Sequence, residues 1–389
     1  MTQKLSAVRY IKNNKRRCAV LIVSLGLCFV MTYLTQFLLS TTEESFRPIL
    51  LENTKKLQFI QIAGSSYGLD VDNTNQEEFN RLWNEKNHEL AKKLETHRGI
   101  KKAYNAQVLW AVIAPAVGNM TYEIPLVEKE EIPVILEHFG AVLSEGRLPE
   151  NPGEIVLDGA TMKNQGFTLN HYFDETNYGK SFNIVGIIDC SSYFGCGIPS
   201  DNNRQSSRII VLSEDIQDIS SHLKQEGIEV RENYDSIVDY SWGEEFFYNE
   251  ITAVLGTSSS YIYVGIIILL SVSLLIVYTM YLRDRRNEWC LYCSIGYSKT
   301  TIYFSIIREL LFNFTAALLI GIILIAAAQW ILYAVMIEPQ GLKCKYIHWK
   351  TIGQILCTYM LIFGILQIPV QYALFKIRTI DAMEDELYS

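Results

Sequence analysis

Gly179-Lys180-Ser181 carries the residue types that close a phosphate-binding loop, but the glycine such a loop needs five residues earlier is replaced by Asp174. A carboxylate there puts negative charge where backbone N–H groups should cradle phosphate, so the tripeptide reads as a turn and not as an ATPase. Among the eight cysteines, Cys290 and Cys293 form a C-x-x-C, with no second pair or histidine cluster to complete a zinc site. Redox work by that pair would need a thioredoxin-like βαβ context, which is absent. Cys190 and Cys196 flank Ser-Ser-Tyr-Phe-Gly, and a short disulfide loop between them would persist in an oxidising compartment. His88, His97, His138, His171, His222 and His348 are scattered, none at metal-ligand spacing. No residue is assigned a catalytic role, and no metal site is expected.

The remaining constellation is Arg283-Asp284-Arg285-Arg286-Asn287-Glu288-Trp289-Cys290-Leu291-Tyr292-Cys293-Ser294-Ile295-Gly296-Tyr297-Ser298-Lys299. Wound as a helix, it sets Trp289, Tyr292 and Cys293 on one stripe and Arg285, Arg286 and Glu288 largely elsewhere. Gly296 is a natural helix stop, and a new helix starts at Tyr297-Ser298-Lys299 and runs on through Arg308 and Glu309. Such a segment can either pass force from a partner to the helices on each side or serve as a plain interfacial loop. Residue types alone leave both open.

These residues are placed by four runs without Asp, Glu, Lys or Arg: Cys18–Thr42, Gly256–Leu282, Leu310–Ile337 and Thr351–Phe375. Each exceeds the ~20 apolar residues that cross a bilayer core of ~30 Å. The chain of 389 residues, with 49% hydrophobic residues and a net charge of −8, is therefore an integral membrane protein. Between Thr41 and Ser260 lie 34 acids and 18 Lys+Arg, net −16; the remaining 8 acids and 16 Lys+Arg give +8. Lys and Arg beside the spans set orientation. Lys4, Arg9, Lys12, Lys15, Arg16 and Arg17 precede the first span, five more cations lie between Arg283 and Arg308, and Lys376 and Arg378 follow the fourth. Lys343, Lys345 and Lys350 are a weaker contrary signal. The N- and C-termini are thus expected to be cytoplasmic. The first run is too long for a signal-peptide core and its exit lacks a small-residue cleavage site, so it reads as a retained anchor.

The expected organisation follows. Residues 1–17 form a cytoplasmic amphipathic helix, 18–40 the first transmembrane helix, and 41–258 an extracytoplasmic α+β domain on a helical stalk. Residues 259–282 form the second span, 283–309 a cytoplasmic coupling segment, 310–336 the third span, 337–350 an extracytoplasmic loop, 351–375 the fourth span and 376–389 a cytoplasmic tail. The fold class is membrane α-helical, with four transmembrane helices and a large α+β domain inserted between the first two. Within that domain the pattern predicts a helix over Phe79–His97. Strands are expected at Gln107–Ala114, Glu154–Leu157, Phe182–Ile188 and Arg208–Leu212, in a mixed sheet of two lobes. Helical character is expected at Glu43–Lys56 and Glu244–Leu255. Gln329, Gln354 and Gln367 should seek partners across helix interfaces, and Pro369 should kink the fourth span.

Arg283, Arg285, Arg286, Glu288, Ile295-Gly296-Tyr297-Ser298 and Glu309 resemble the second loop of the FtsX-like, MacB-type permeases of ABC transporters. Gly146-Arg147-Leu148-Pro149-Glu150-Asn151-Pro152-Gly153-Glu154-Ile155 is similar to the family's G-R-x-P-x-x-P-G-E-[IV] turn and strand. Phe182-Asn183-Ile184-Val185-Gly186-Ile187 is similar to its F-x-V-x-G-I strand, and Ile377–Met383 to its final segment without the usual Pro. The resemblance implies a bacterial plasma-membrane permease subunit that binds no cofactor itself. ATP and Mg would be used by a separate cytosolic ABC ATPase dimer, since only 17 residues precede Cys18. Other implied partners are a second permease copy or paralogue and membrane lipid, with no nucleic acid. Those loop residues would couple ATPase motion to the outer domain, exporting or extracting peptide, antibiotic or lipid-like substrates. The alternative is a non-transporting mechanotransmitter that regulates an envelope hydrolase or sensor. Charge reversal at Arg285 and Arg286 is expected to abolish coupling while leaving membrane insertion intact.

Overall fold

The computed structural model describes residues 15–69, 75–175, 180–200, 207–214, 216–231, 234–347 and 349–375. The expected helix at 1–17 lies mostly outside the described residues, as do Gly179, His348 and the whole tail 376–389 with its Ile377–Met383 motif. The main helices among the described residues are α1 (Lys15–Arg47), α2 (Gln76–Leu94), α3 (Ile132–Phe139), α4 (Gly159–Gln165), α5 (Ser220–Gln225), α6 (Tyr240–Glu245), α7 (Ala253–Asp284), α8 (Arg286–Ser294), α9 (Lys299–Leu332) and α10 (Trp349–Phe375). The strands are β1 (Leu57–Gln61), β2 (Ile100–Ile113), β3 (Met120–Leu126), β4 (Val142–Gly146), β5 (Glu154–Asp158), β6 (Tyr172–Glu175), β7 (Lys180–Asp189), β8 (Gly195–Gly197), β9 (Ser207–Ser213) and β10 (Ser236–Val238). Four helical stretches are long and apolar enough to cross a membrane: Cys18–Lys56, Tyr240–Arg283, Lys299–Ile337 and Thr351–Phe375. Leu, Ile and Val recur on every face of them, the pattern of a helix whose surroundings are apolar throughout.

The chain divides into two compact units. A membrane unit takes in the described residues of Met1–Leu38, Thr257–Tyr333 and Tyr346–Ser389; a sheet unit takes in Leu39–Gly256 and Ala334–Lys345. In the membrane unit α1 and α9 approach closely because small residues face each other. A Cβ on Gly26 would lie 3.6 Å from the Ala317 carbonyl oxygen, and one on Gly321 would lie 3.3 Å from the Phe29 ring. Phe314 meets the rings of Tyr359 and Phe363 edge-on, at 4.7 and 5.4 Å between centroids. Gln329 donates to the Tyr346 carbonyl at 2.8 Å and accepts from Tyr33. Gln367, by contrast, turns back onto the Phe363 carbonyl of its own helix, four residues away. Pro369 lies inside α10.

In the sheet unit the strands form one ten-stranded mixed sheet in the order β10-β1-β9-β2-β3-β8-β5-β7-β4, with β6 on β7. Two pairings are parallel, β3 with β8 and β5 with β7; the rest are antiparallel. Period-two alternation divides the core between two faces. Leu57, Phe59, Ile210 and Leu212 join α3 and the Phe194 turn on one face. Ile60, Ile209 and Val211 join Leu90, Leu94 and Leu223 of α2 and α5 on the other. The expected two lobes are thus one sheet with two cores. The helix expected at Phe79–His97 begins and ends three residues earlier, because Asn75 opens it and its terminal carbonyls are closed by the backbone N–H groups of Glu95, Thr96 and His97. The helical stretches flanking the sheet include π-helical segments, Pro48–Asn53 and Phe246–Thr252. Pro48 has no N–H to give, which favours the shifted hydrogen-bond register at the first of them.

Residues 334–345 pack within the sheet unit. Gly341, at φ +60°, sits so close to α4 that a Cβ would come 2.5 Å from the Ala160 carbonyl oxygen. Asn164 donates to the Gln340 carbonyl at 3.1 Å, and Tyr193 donates to that of Gly341 at 3.4 Å. Lys343 donates to the Ser191 carbonyl and lies 5.3 Å from the centre of the Tyr193 ring, where burial pushes its ammonium down.

Candidate functional site

The segment from Arg283 to Glu309 builds a compact polar node in the membrane unit. α7 stops at Asp284, and Arg285 turns the chain into α8, its N–H donating to the Leu282 carbonyl. α8 ends at Ser294 because Gly296 takes φ +99°, a left-handed conformation that costs an L side chain about 1 kcal/mol or more. Ser298 then caps α9, accepting from the Thr301 N–H at 3.3 Å.

Inside this turn-helix-turn, Arg285 is the hub. Its Nη1 donates to Glu309 Oε2 at 2.7 Å and to Tyr281 Oη at 3.1 Å, and its Nε meets Glu288 Oε2 at 3.3 Å. Tyr281 donates to the other Glu309 oxygen. The guanidinium carbon also lies 5.6 Å from the ring centres of Tyr281 and Trp289. The Arg285 and Glu309 side chains are only 7% and 4% exposed, so this is a buried pair linking the start of α8 to α9. Trp289 and Cys290 are buried, Tyr292 and Cys293 half-buried, as an amphipathic helix lying on α9 requires. Leu291 and Ile295, one turn apart, are 59% and 63% exposed and form an apolar outer face.

Of the residues singled out from the sequence, Arg285, Glu288 and Glu309 come together. Arg283, Ile295, Gly296 and Ser298 are exposed, and Arg286 and Tyr297 are half-buried. Arg285 is therefore not a surface charge waiting for a partner. A carboxylate at position 285 would face Glu309 inside the protein, where like charges cannot both stay ionised at low cost, so charge reversal there would also disturb packing. Tyr281 and Trp289 complete the node, and helix spacing could have found them, since Tyr281, Arg285 and Trp289 stand at i, i+4 and i+8.

In the sheet unit the Gly146–Ile155 motif is a carboxylate-centred turn. Glu154 accepts from Arg147 at 2.5 and 2.7 Å, from the N–H groups of Glu150 and Asn151 at 2.8 and 3.1 Å, and from the Asn151 amide at 3.0 Å. The Arg147 guanidinium and these donors hold the Glu154 carboxyl well below the usual carboxylate range. Gly146, at φ +79°, has no room for a Cβ, which would lie 2.3 Å from the Val185 carbonyl oxygen. Cys190 and Cys196 are both free thiols. Cys196 is buried in β8 between β3 and β5, where burial pushes its thiol up, and Cys190 lies past the end of β7 with Ser192 3.9 Å away. The possible disulfide between them is not present in this structure, where β8 holds Cys196 in the core. Gly64-Ser65-Ser66-Tyr67-Gly68 has the spacing of a hydrolase nucleophile elbow, yet the Ser66 hydroxyl is tied to both Asp235 oxygens, at 3.0 and 2.9 Å, within a 3₁₀ turn. A carboxylate without an intervening histidine does not make the relay of a serine hydrolase. Among the described residues no group of three or more His, Cys, Asp or Glu is placed to hold a metal ion.

Residues 260–382, which span this polar node and the last three membrane helices, match the family model for the FtsX-like permease C-terminal region. This part of the chain is thus similar to the C-terminal region of FtsX-like permeases. No curated protein sequence matches the chain. Solved structures similar to it include the periplasmic region of MacB from Actinobacillus actinomycetemcomitans, at 14% identity over 51% of this chain and 98% of that one, with a TM-score of 0.26. Another is the extracellular domain of the noncanonic ABC-type transporter YknZ from Gram-positive bacteria, at 11% identity over 47% of this chain and 99% of that one, with a TM-score of 0.25.

Proposed function

We propose that this chain is the permease subunit of an ABC transporter in a bacterial plasma membrane, with both termini cytoplasmic and ATP hydrolysed by a separate cytosolic ATPase dimer. The chain itself binds neither ATP nor Mg. Two copies, or this chain with a related permease, complete the membrane part. ATPase closure pushes on α8, and the push passes through α7 and α1, helices that share residues with the sheet unit, to substrate handled on the far side of the membrane. Peptide, antibiotic and lipid-like cargoes suit this scheme, because the charge-free runs Cys18–Thr42, Gly256–Leu282, Leu310–Ile337 and Thr351–Phe375 offer no hydrophilic path.

The observation that supports this reading is the mismatch between the two faces of α8. One face is fastened by the buried Arg285–Glu309 pair, and the other presents Leu291 and Ile295 to the surroundings. A helix held rigidly on one side and apolar on the other can receive a protein surface and transmit its displacement. The test is reconstitution of the full chain with its ATPase in proteoliposomes. Leu291→Asp with Ile295→Asp should leave expression and melting behaviour unchanged and reduce ATPase stimulation at least tenfold. Full stimulation by that double variant would remove α8 as the coupling face.

A further inference from the structure

The sheet unit contains a cavity of about 400 Å³, within the ~300–1,000 Å³ range of small-molecule sites. Trp110, Phe139, Phe194, Trp242 and Phe246 give it a largely aromatic wall, and its polar wall contains the Arg208–Glu123 ion pair. Trp110 and Glu123 stand opposite each other on β2 and β3, so the indole N–H donates to Glu123 Oε1 at 3.3 Å while the Arg208 guanidinium lies 5.7 Å from the Trp110 ring centre.

The pair is half made. Arg208 Nη1 and the Trp110 N–H both use Oε1, while Oε2 has no hydrogen-bond partner. Asn53, also in the cavity wall, leaves its amide oxygen without a partner in the same way. Both acceptors are buried without a donor, so the polar wall is incompletely satisfied from within the protein. A ligand's own charge is constrained as well. An anion would face Glu123 and a cation would face Arg208, each at short range and away from bulk water. A neutral group carrying both an N–H and a carbonyl can meet both partners at once.

We propose that this cavity binds a small aromatic peptide-like ligand, with its uncharged amide lying across the Arg208–Glu123 pair and its ring among Trp110, Phe139 and Trp242. The site is independent of the coupling face, and it can be assayed without ATPase or nucleotide, so failure here leaves the coupling reading untouched. The experiment uses the full chain in lipid nanodiscs and energy transfer from the cavity tryptophans to a dansyl group. Three probes are titrated: dansyl-phenylalaninamide, dansyl-phenylalanine as the carboxylate, and dansylcadaverine as the ammonium. The neutral amide should give a saturable signal, with both charged probes at least fivefold weaker. Glu123→Gln leaves Arg208 without its anion and should make the carboxylate the preferred probe; Arg208→Gln should make the ammonium preferred. A misfolded variant cannot produce such an exchange of preference. Lack of a saturable signal, a charged probe that matches the amide on the unaltered chain, or the same ranking in both folded variants would each overturn the proposal. If neither variant folds, as read by near-ultraviolet circular dichroism, the ranking on the unaltered chain decides alone.

Discussion

The Arg285–Glu309 pair makes a quantitative statement about how α8 is held. With the two side chains 7% and 4% exposed, removal of either partner strands the other as a buried charge. Breaking such a pair costs about 3–5 kcal/mol, which is roughly a 10²- to 10⁴-fold shift in a folding equilibrium. Glu309→Leu should sit at the upper end. Arg285 would lose its buried carboxylate, and its contact with the half-exposed Glu288 is screened by water. Arg285→Met should fall lower, because Tyr281 continues to donate to Glu309. The double variant Arg285→Met/Glu309→Leu removes both charges and should regain most of the loss, since apolar replacement of a whole buried pair is often neutral or better. The assay is the temperature at which half of the detergent-solubilised protein remains monodisperse, measured for the four members of the cycle. Two singles as stable as the unaltered chain, or a double whose loss equals the sum of the singles, would refute the idea that this pair is a strut. ATPase stimulation by a stable double variant then asks a separate question, whether the charges matter beyond holding α8 in place.

Other consequences concern the sheet unit. Glu154, whose folded-state carboxyl is depressed below its ordinary value of 4.5, contributes stability that is complete above that value and is lost as pH falls through the acid range below it. Glu154→Gln should therefore lower stability at pH 7 and flatten the acid limb of unfolding followed by tryptophan fluorescence; an unchanged acid midpoint would count against the clamp. Asp158 caps α4, accepting from the N–H groups of Ala160, Thr161 and Phe194 at 3.0, 2.9 and 3.0 Å while almost fully buried. Asp158→Ala should cost about 2–4 kcal/mol, more than an ordinary exposed cap, and thermal unfolding would show it. Gly341→Ala adds a Cβ at a left-handed position, facing the Ala160 carbonyl oxygen 2.5 Å away. Amide exchange should rise in 334–345 and in α4 together, and unchanged protection in either would show that the contact is dispensable.

The membrane spans were legible because a bilayer imposes one requirement, some twenty residues without charge, which leaves a mark on contiguous sequence. The Arg285 node was half legible for a related reason. Helical spacing ties Tyr281, Arg285 and Trp289 together within a few turns, and Gly296 and Ser298 announce where one helix stops and the next begins. What spacing could not say was that Arg285 faces inward, because its partner Glu309 lies beyond the turn, on another helix. The sheet unit was less readable still. β4 is wholly exposed and β8 is three residues long, so neither carries the alternation that betrays a strand. β8 exists because β3 and β5 offer it edges to pair with, a tertiary cause that leaves no local pattern. The same limit governs the cavity. Glu123 and Arg208 are 85 positions apart and become neighbours only because β9 pairs with β2 and β2 with β3. A site assembled by register across three strands can be recognised only once the strand order is known. For that reason the two functions proposed here rest on different kinds of support, the coupling face on a local motif and the cavity on topology.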